Sequence, residues 1–112
     1  MEEGNLIPEL FMVLTTEENY YMADELSKSL LHKRLAACIT LQRTSSRYWW
    51  DGKLTQSDEV QLLIKTTEDQ LSDLLETIKK NHSYETPELI YWNASAGQVY
   101  KEWVSKVIAN KF

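Results

Sequence analysis

The 112-residue sequence has little of several residue types: one cysteine, two histidines, three glycines and two prolines. Cys38 alone cannot form an internal disulfide, which is typical of a reducing compartment, so we expect a cytoplasmic protein. No apolar run approaches membrane-spanning length, and the first residues lack a basic start and a hydrophobic signal segment. There are no linker or low-complexity stretches. We therefore predict one domain over residues 1–112, with an ordered core of about residues 9–108.

Positive charge and familiar catalytic motifs are also scarce. Twelve Lys and Arg residues stand against 17 Asp and Glu, and no basic cluster exceeds two residues. A nucleic-acid partner is therefore not expected, since binding a phosphate backbone needs a basic patch. The sequence has no P-loop, no glycine-rich dinucleotide turn, no GxSxG and no CxxC. Because no nucleophile and base can be paired, we predict a protein that is not an enzyme.

The strongest positive signal is a β-hairpin within residues 36–65. Asp51-Gly52 separates two alternating runs, and this dipeptide favours a type I′ turn, which needs positive φ at both central residues. Counting outward from the turn brings apolar residues opposite each other on one face, namely Leu41 with Leu62 and Ile39 with Ile64. A slip of one residue would destroy this match, so the register is specified.

The hairpin is long for a chain of this size. Arms of about fifteen residues would span roughly 45–50 Å, whereas a globule of this length is about 35 Å across. The overhanging tip is apolar and contains Tyr48, Trp49, Trp50 and Leu54. A bulge could fold the tip back onto its own domain. We instead expect these four residues to form an interface with other copies of the chain.

The remaining elements complete an α+β fold. A short apolar strand at Glu9–Thr15 precedes a helix that ends near Lys33, with Thr15-x-x-Glu18 as its predicted capping box. After the hairpin, a second helix follows Thr67, a fourth strand covers residues 88–93, and a last helix follows Gly97. This order predicts a ferredoxin-like split βαβ sandwich, in which a four-stranded antiparallel sheet carries an extra C-terminal helix.

The loop after the second helix contains the best candidates for chemistry. His82 lies close to Tyr84, Glu85 and Glu88, and imidazole with carboxylate is a common pair of ligands for divalent metals. His82 and Glu85 are therefore candidate ligands for Cu²⁺ or Zn²⁺, but two groups do not fill a coordination sphere without a neighbouring subunit. A loop held together by its own hydrogen bonds is the alternative. Lys65 is a cation that could reach an anion or Glu85.

Several segments together resemble the CutA divalent-cation tolerance family, and the likeness runs from Phe11 to Val107. They are Leu35-Ala36-Ala37-Cys38, Tyr48-Trp49-Trp50-Asp51-Gly52-Lys53, Glu59-Val60-Gln61-Leu62-Leu63-Ile64-Lys65-Thr66-Thr67, His82-Ser83-Tyr84-Glu85-Thr86-Pro87-Glu88 and Tyr100-x-x-Trp103.

The resemblance implies a homotrimer with interlocked hairpins and an architecture like that of the PII signalling proteins. It also implies a link to tolerance of cations such as copper, and a cleft between subunits formed by Trp49, Lys65, Tyr84 and Glu85, beside His82. Thr15 and Asn81 stand where metal-binding bacterial members carry a cysteine and a histidine.

Two functions follow as hypotheses. The first is a trimeric, non-enzymatic protein of metal-ion tolerance that binds a divalent cation or small ligand near His82 and Glu85. The second is a PII-like signalling or scaffold trimer, whose clefts bind a small anionic metabolite through Lys65 and whose surface contacts a protein target.

Overall fold

A computed structural model describes residues 7–109 as three helices and four strands. In chain order the elements are β1 (Leu10–Glu17), α1 (Tyr20–His32), β2 (Cys38–Trp50), β3 (Lys53–Thr67), α2 (Glu68–Asn81), β4 (Ile90–Ala94) and α3 (Gln98–Ile108). The strands form one sheet in the order β2-β3-β1-β4, and every neighbouring pair is antiparallel. This is the predicted ferredoxin-like split βαβ arrangement with an additional C-terminal helix.

The hairpin register agrees with the prediction at every position. Pairing runs without interruption from Cys38 opposite Lys65 to Trp50 opposite Lys53, and it includes the predicted pairs of Leu41 with Leu62 and Ile39 with Ile64. Asp51 and Gly52 have φ angles of 53° and 76°, as a type I′ turn requires. The predicted Asp-Gly turn is therefore confirmed.

The paired arms extend well beyond the rest of the fold. The principal dimensions are 55 × 23 × 21 Å, and because the ladder continues to the turn, no bulge folds the tip back. Trp49 is 73 % exposed, Trp50 is 60 % exposed and Leu54 is 69 % exposed in the single chain. An isolated molecule thus presents an apolar tip to water, which is the premise of the assembly prediction.

The two faces of the sheet are covered differently. Helices α1 and α2 pack on one face and enclose the main core, whose fully buried members include Val13, Leu30, Leu62, Ile64, Leu74 and Ile78. Helix α3 lies on the opposite face, where Val104 and Ile108 pack against Leu10 at the start of β1. Among residues 7–109, no helix is long and apolar enough to cross a membrane.

The predicted start of the first helix is wrong. Strand β1 continues to Glu17, which pairs with Val60 of β3, so Thr15 lies within a strand and does not cap a helix. Asn19 is the N-cap instead, with an extended φ of −154° and a side-chain oxygen that accepts the Met22 amide at 2.9 Å. The prediction failed because partners on β3, distant in sequence, extend the strand past a local capping pattern.

Candidate functional site

A cavity of about 750 Å³ lies between the hairpin and the loop after α2. The ribbon contributes aromatic and polar side chains, and the loop contributes carboxylates. The lining includes Tyr48, Trp50, Glu59, Tyr84, Glu85 and Glu88. The two sides of the cavity thus come from the hairpin tip and the 82–88 loop, the two segments for which the sequence predicted a functional role.

Glu17 anchors this loop to the end of β1. Its side chain is only 1 % exposed. One carboxyl oxygen accepts the Ser83 hydroxyl and the Glu18 amide (3.2 Å), and the other accepts the Ser83 amide at 3.2 Å. A buried carboxyl group needs such donors because it has lost its water. Glu17 therefore fixes the first turn of the loop.

His82 lies beside this carboxyl group and is completely enclosed, with a side-chain exposure of 0 %. Its Nε2 is 2.5 Å from the carbonyl oxygen of Thr16 and 3.2 Å from the hydroxyl of Thr15. Its Nδ1 accepts the amide of Tyr84 at 3.0 Å and lies 3.7 Å from a Glu17 oxygen. Both ring nitrogens thus bind backbone groups of the fold.

Tyr84 connects the loop to the hairpin. Its hydroxyl donates to Oε2 of Glu59 on β3 at 2.7 Å. Its ring lies 5.1 Å from the imidazole of His82, centroid to centroid. Burial raises the pKa of Tyr84 well above its usual value of 10.0, and the hydrogen bond and charge of Glu59 raise it further. Tyr84 therefore remains a neutral donor to Glu59 at physiological pH.

This raised pKa predicts how stability depends on pH. Because the pKa of Tyr84 is higher in the folded than in the unfolded chain, its hydroxyl contributes its full stabilisation of the fold below pH 10. That contribution is lost as the pH rises through the folded-state pKa. We expect Tyr84→Phe to lower the free energy of unfolding by about 1 kcal/mol near neutral pH. Above pH 10, the difference in this free energy between the variant and wild type should shrink. Urea unfolding at several pH values measures this. Tyr21→Phe, at an exposed position, is the control, and a pH-independent difference for Tyr84→Phe would contradict the prediction.

Within one chain, the five predicted cleft residues do not converge. Tyr84 and Glu85 line the cavity, whereas His82 does not line it and is bonded to two residues that do, Thr16 and Tyr84. Trp49 points to the opposite face of the ribbon from Trp50, and Lys65 lies six residues from Glu59, about 20 Å along β3 at the usual rise of a strand. A cleft that unites all five would need more than one subunit, and it stays a prediction.

The predicted metal ligands can be placed in the same way. Glu85 is exposed at the cavity wall, while the nitrogens of His82 are already hydrogen-bonded. The Asn81 side chain donates to the Thr77 carbonyl at 2.8 Å, and Thr15 is buried against His82. Across residues 7–109, no three His, Cys, Asp or Glu side chains converge as metal ligands do.

Sequence reasoning missed two residues of this site, Glu17 and Glu59. The capping box predicted at Thr15-x-x-Glu18 would place Glu17 in the first turn of a helix, and the predicted hairpin includes Glu59 without giving it a role. Both are buried acidic residues: Glu17 ends the otherwise apolar or hydroxyl-bearing strand β1, and Glu59 precedes the buried Val60 in β3. An acidic residue at such a position needs a polar partner. That was the available signal, but it does not identify the partner.

Comparison with known proteins gives a consistent result. Residues 11–107 match the family described as CutA1 divalent ion tolerance protein. The divalent-cation tolerance protein CutA of Citrobacter koseri is 41 % identical over 101 residues, which are 88 % of each chain. The structure of CutA1 from Ehrlichia chaffeensis superimposes with a TM-score of 0.88 at 26 % identity, covering 92 % of this chain and 98 % of that one. CutA1 from Oryza sativa gives 0.86 at 34 % identity, covering 90 % and 94 %.

Proposed function

The chain belongs to the CutA1 divalent ion tolerance family, and on that premise we propose that it is a non-enzymatic homotrimer of metal-ion tolerance. In this proposal, a divalent cation such as copper or zinc binds in clefts between subunits. The observation that carries the proposal is the cavity that joins the apolar hairpin tip to three carboxylates, those of Glu59, Glu85 and Glu88. The single cysteine supports a cytoplasmic location as part of the same proposal.

The trimer is supported by apolar surface that a single chain leaves uncovered. Besides the tip, the sheet face that bears α3 presents a group of half-exposed residues: Ile90, Trp92, Tyr100 and Trp103. Stable monomers seldom expose so many aromatic side chains together. Copies of the same chain would cover both the ribbon and this face, and the closed symmetry would leave no apolar edge.

Cation binding is supported by charge. The cavity lining contains three carboxylates and one guanidinium, and the whole chain has a net charge of −5. Glu85 and Glu88 are exposed, so their oxygens are accessible to an ion. Since no described set of three ligating side chains converges within one subunit, the neighbouring subunit is proposed to complete the coordination.

Titration calorimetry with Cu²⁺ and Zn²⁺ on the intact protein tests this proposal. We expect saturable binding, weakened at least about tenfold by Glu85→Gln because the substitution removes a charged ligand. Glu25→Gln, an exposed carboxylate on α1, is the matched control and should bind as wild type does. Equal affinity in all three proteins, or no saturable binding by wild type, would contradict the proposed site.

One observation favours the second candidate function, a PII-like signalling or scaffold trimer. The ammonium group of Lys65 lies on the sheet face opposite α1 and α2 and donates to the Thr40 hydroxyl at 2.8 Å. Among the described residues, it forms no ion pair with a carboxylate. Such a cation could bind a small anionic metabolite. A thermal-shift screen of nucleotides and organic acids should then find a compound that stabilises wild type and not Lys65→Gln.

A further inference from the structure

The hydrogen bonds of His82 determine which nitrogen carries its proton. The Thr16 carbonyl oxygen can only accept, so Nε2 at 2.5 Å must carry hydrogen. The Tyr84 amide can only donate, so Nδ1 at 3.0 Å must present its lone pair. This pair of bonds is the pattern of the Nε2–H tautomer. A metal binds histidine through a free nitrogen lone pair, and neither nitrogen offers one.

Burial makes this arrangement costly to undo. The imidazole is fully enclosed, and its two partners are backbone groups of the fold. A metal at Nδ1 would leave the Tyr84 amide without its acceptor, and a metal at Nε2 would leave the Thr16 carbonyl without the Nε2–H donor. An unpaired buried backbone group is strongly unfavourable.

Among the described neighbours of His82, the Glu17 carboxylate, 3.7 Å from Nδ1, already accepts the hydroxyl and amide of Ser83 and the amide of Glu18. Thr15 is fully buried and places its hydroxyl 3.2 Å from Nε2, where it belongs to the same hydrogen-bonded group. A neutral hydroxyl is also a poor ligand for copper or zinc compared with thiolate or imidazole. The Asn81 side chain is directed to the carbonyl of Thr77 on its own helix.

We infer that His82 is not a metal ligand in this chain but a positioning residue for the 82–88 loop. Three consecutive residues are tied to the end of β1: His82 through Thr16, Ser83 through Glu17, and Tyr84 through the imidazole of His82. This arrangement directs the Tyr84 hydroxyl to Glu59 and leaves Glu85 at the cavity wall. The inference rests on the proposed function for one consequence only: the divalent cation must bind without His82, on the carboxylate side of the cavity.

Two substitutions by amide side chains separate the positioning role from a ligand role. In His82→Gln, the amide nitrogen can replace the Nε2–H donor to Thr16. In His82→Asn, the side-chain oxygen can accept the Tyr84 amide two residues on, as in an Asx turn. Each variant keeps one of the two hydrogen bonds. The melting temperatures of both should therefore lie above that of His82→Ala and below that of wild type. If the alanine variant is as stable as the other two, the positioning role is wrong.

Zinc titration of the same proteins, in their assembled form, tests the other half of the inference. We expect the Gln and Asn variants to bind Zn²⁺ with the wild-type stoichiometry and within about twofold of its affinity. A loss of more than tenfold in both would identify His82 as a ligand and overturn the inference.

Nitrogen-15 NMR of the wild-type imidazole gives a readout that needs neither a variant nor bound metal. At a pH where free imidazole is neutral, the Nε2–H tautomer is expected, with shifts that zinc does not change. The opposite tautomer, or a zinc-induced shift of a His82 nitrogen, would overturn the inference. If wild type binds no zinc, the proposed function fails, yet the tautomer still decides whether His82 is held as described.

Discussion

Replacing either hairpin-tip tryptophan by alanine is expected to weaken the proposed trimer, by roughly 3–5 kcal/mol for a ring that would be fully buried in that assembly. In the single chain Trp50 is 60 % exposed and Trp49 is 73 % exposed, so neither ring contributes much to the fold of an isolated subunit. The two residues point to opposite faces of the ribbon. Sedimentation velocity over a range of protein concentrations measures the dissociation.

The matched control is Tyr21→Ala. Tyr21 is also strongly exposed, at 69 %, but it belongs to α1 and not to the hairpin tip. That variant should sediment as wild type does. If only one tryptophan variant dissociates, a single face of the ribbon is covered in the assembly. An unchanged trimer in both variants, or a wild-type monomer, would contradict the argument from the overhanging tip.

The hairpin was predictable because its information is local and redundant. The Asp51-Gly52 turn fixes the count, and the facing apolar pairs agree with that count along the whole ladder. The end of β1 was not predictable in this way. Thr15-x-x-Glu18 is a good local capping pattern, but the partner that extends the strand to Glu17 is Val60, which is remote in the sequence. Tertiary pairing overrode the local preference.

The candidate site likewise combines features that are local in the sequence, and so predictable, with contacts between distant residues, which are not. The sequence drew attention to the 82–88 loop because a histidine, a tyrosine and two carboxylates are close together there. It gave no indication of what these loop residues contact, because His82 and Thr16 are 66 residues apart, as are Ser83 and Glu17. Tyr84 and Glu59 are 25 residues apart. Chemical types within a loop can be read from a sequence, whereas the hydrogen bonds of His82 depend on a distant strand end.

Glu17→Ala is expected to lower the free energy of unfolding by about 2–4 kcal/mol, because it leaves the amide and hydroxyl of Ser83 and the amide of Glu18 without their acceptor. Glu17→Gln keeps one accepting oxygen but places an amide group against these donors, so an intermediate loss is expected. Urea unfolding at a fixed protein concentration gives the values, since the stability of an assembled protein depends on concentration.

Glu18→Ala provides the matched control, because the same substitution one residue later removes an exposed carboxylate at the start of the turn into α1. Its effect should stay within about 0.5 kcal/mol. A double-mutant cycle with Ser83→Ala then isolates the contact between β1 and the loop, and the two substitutions should be clearly non-additive. Additive effects, or equal losses for Glu17→Ala and Glu18→Ala, would show that the buried carboxyl group does not hold the loop. In that case the placement of Tyr84 and Glu85 at the cavity would need another cause.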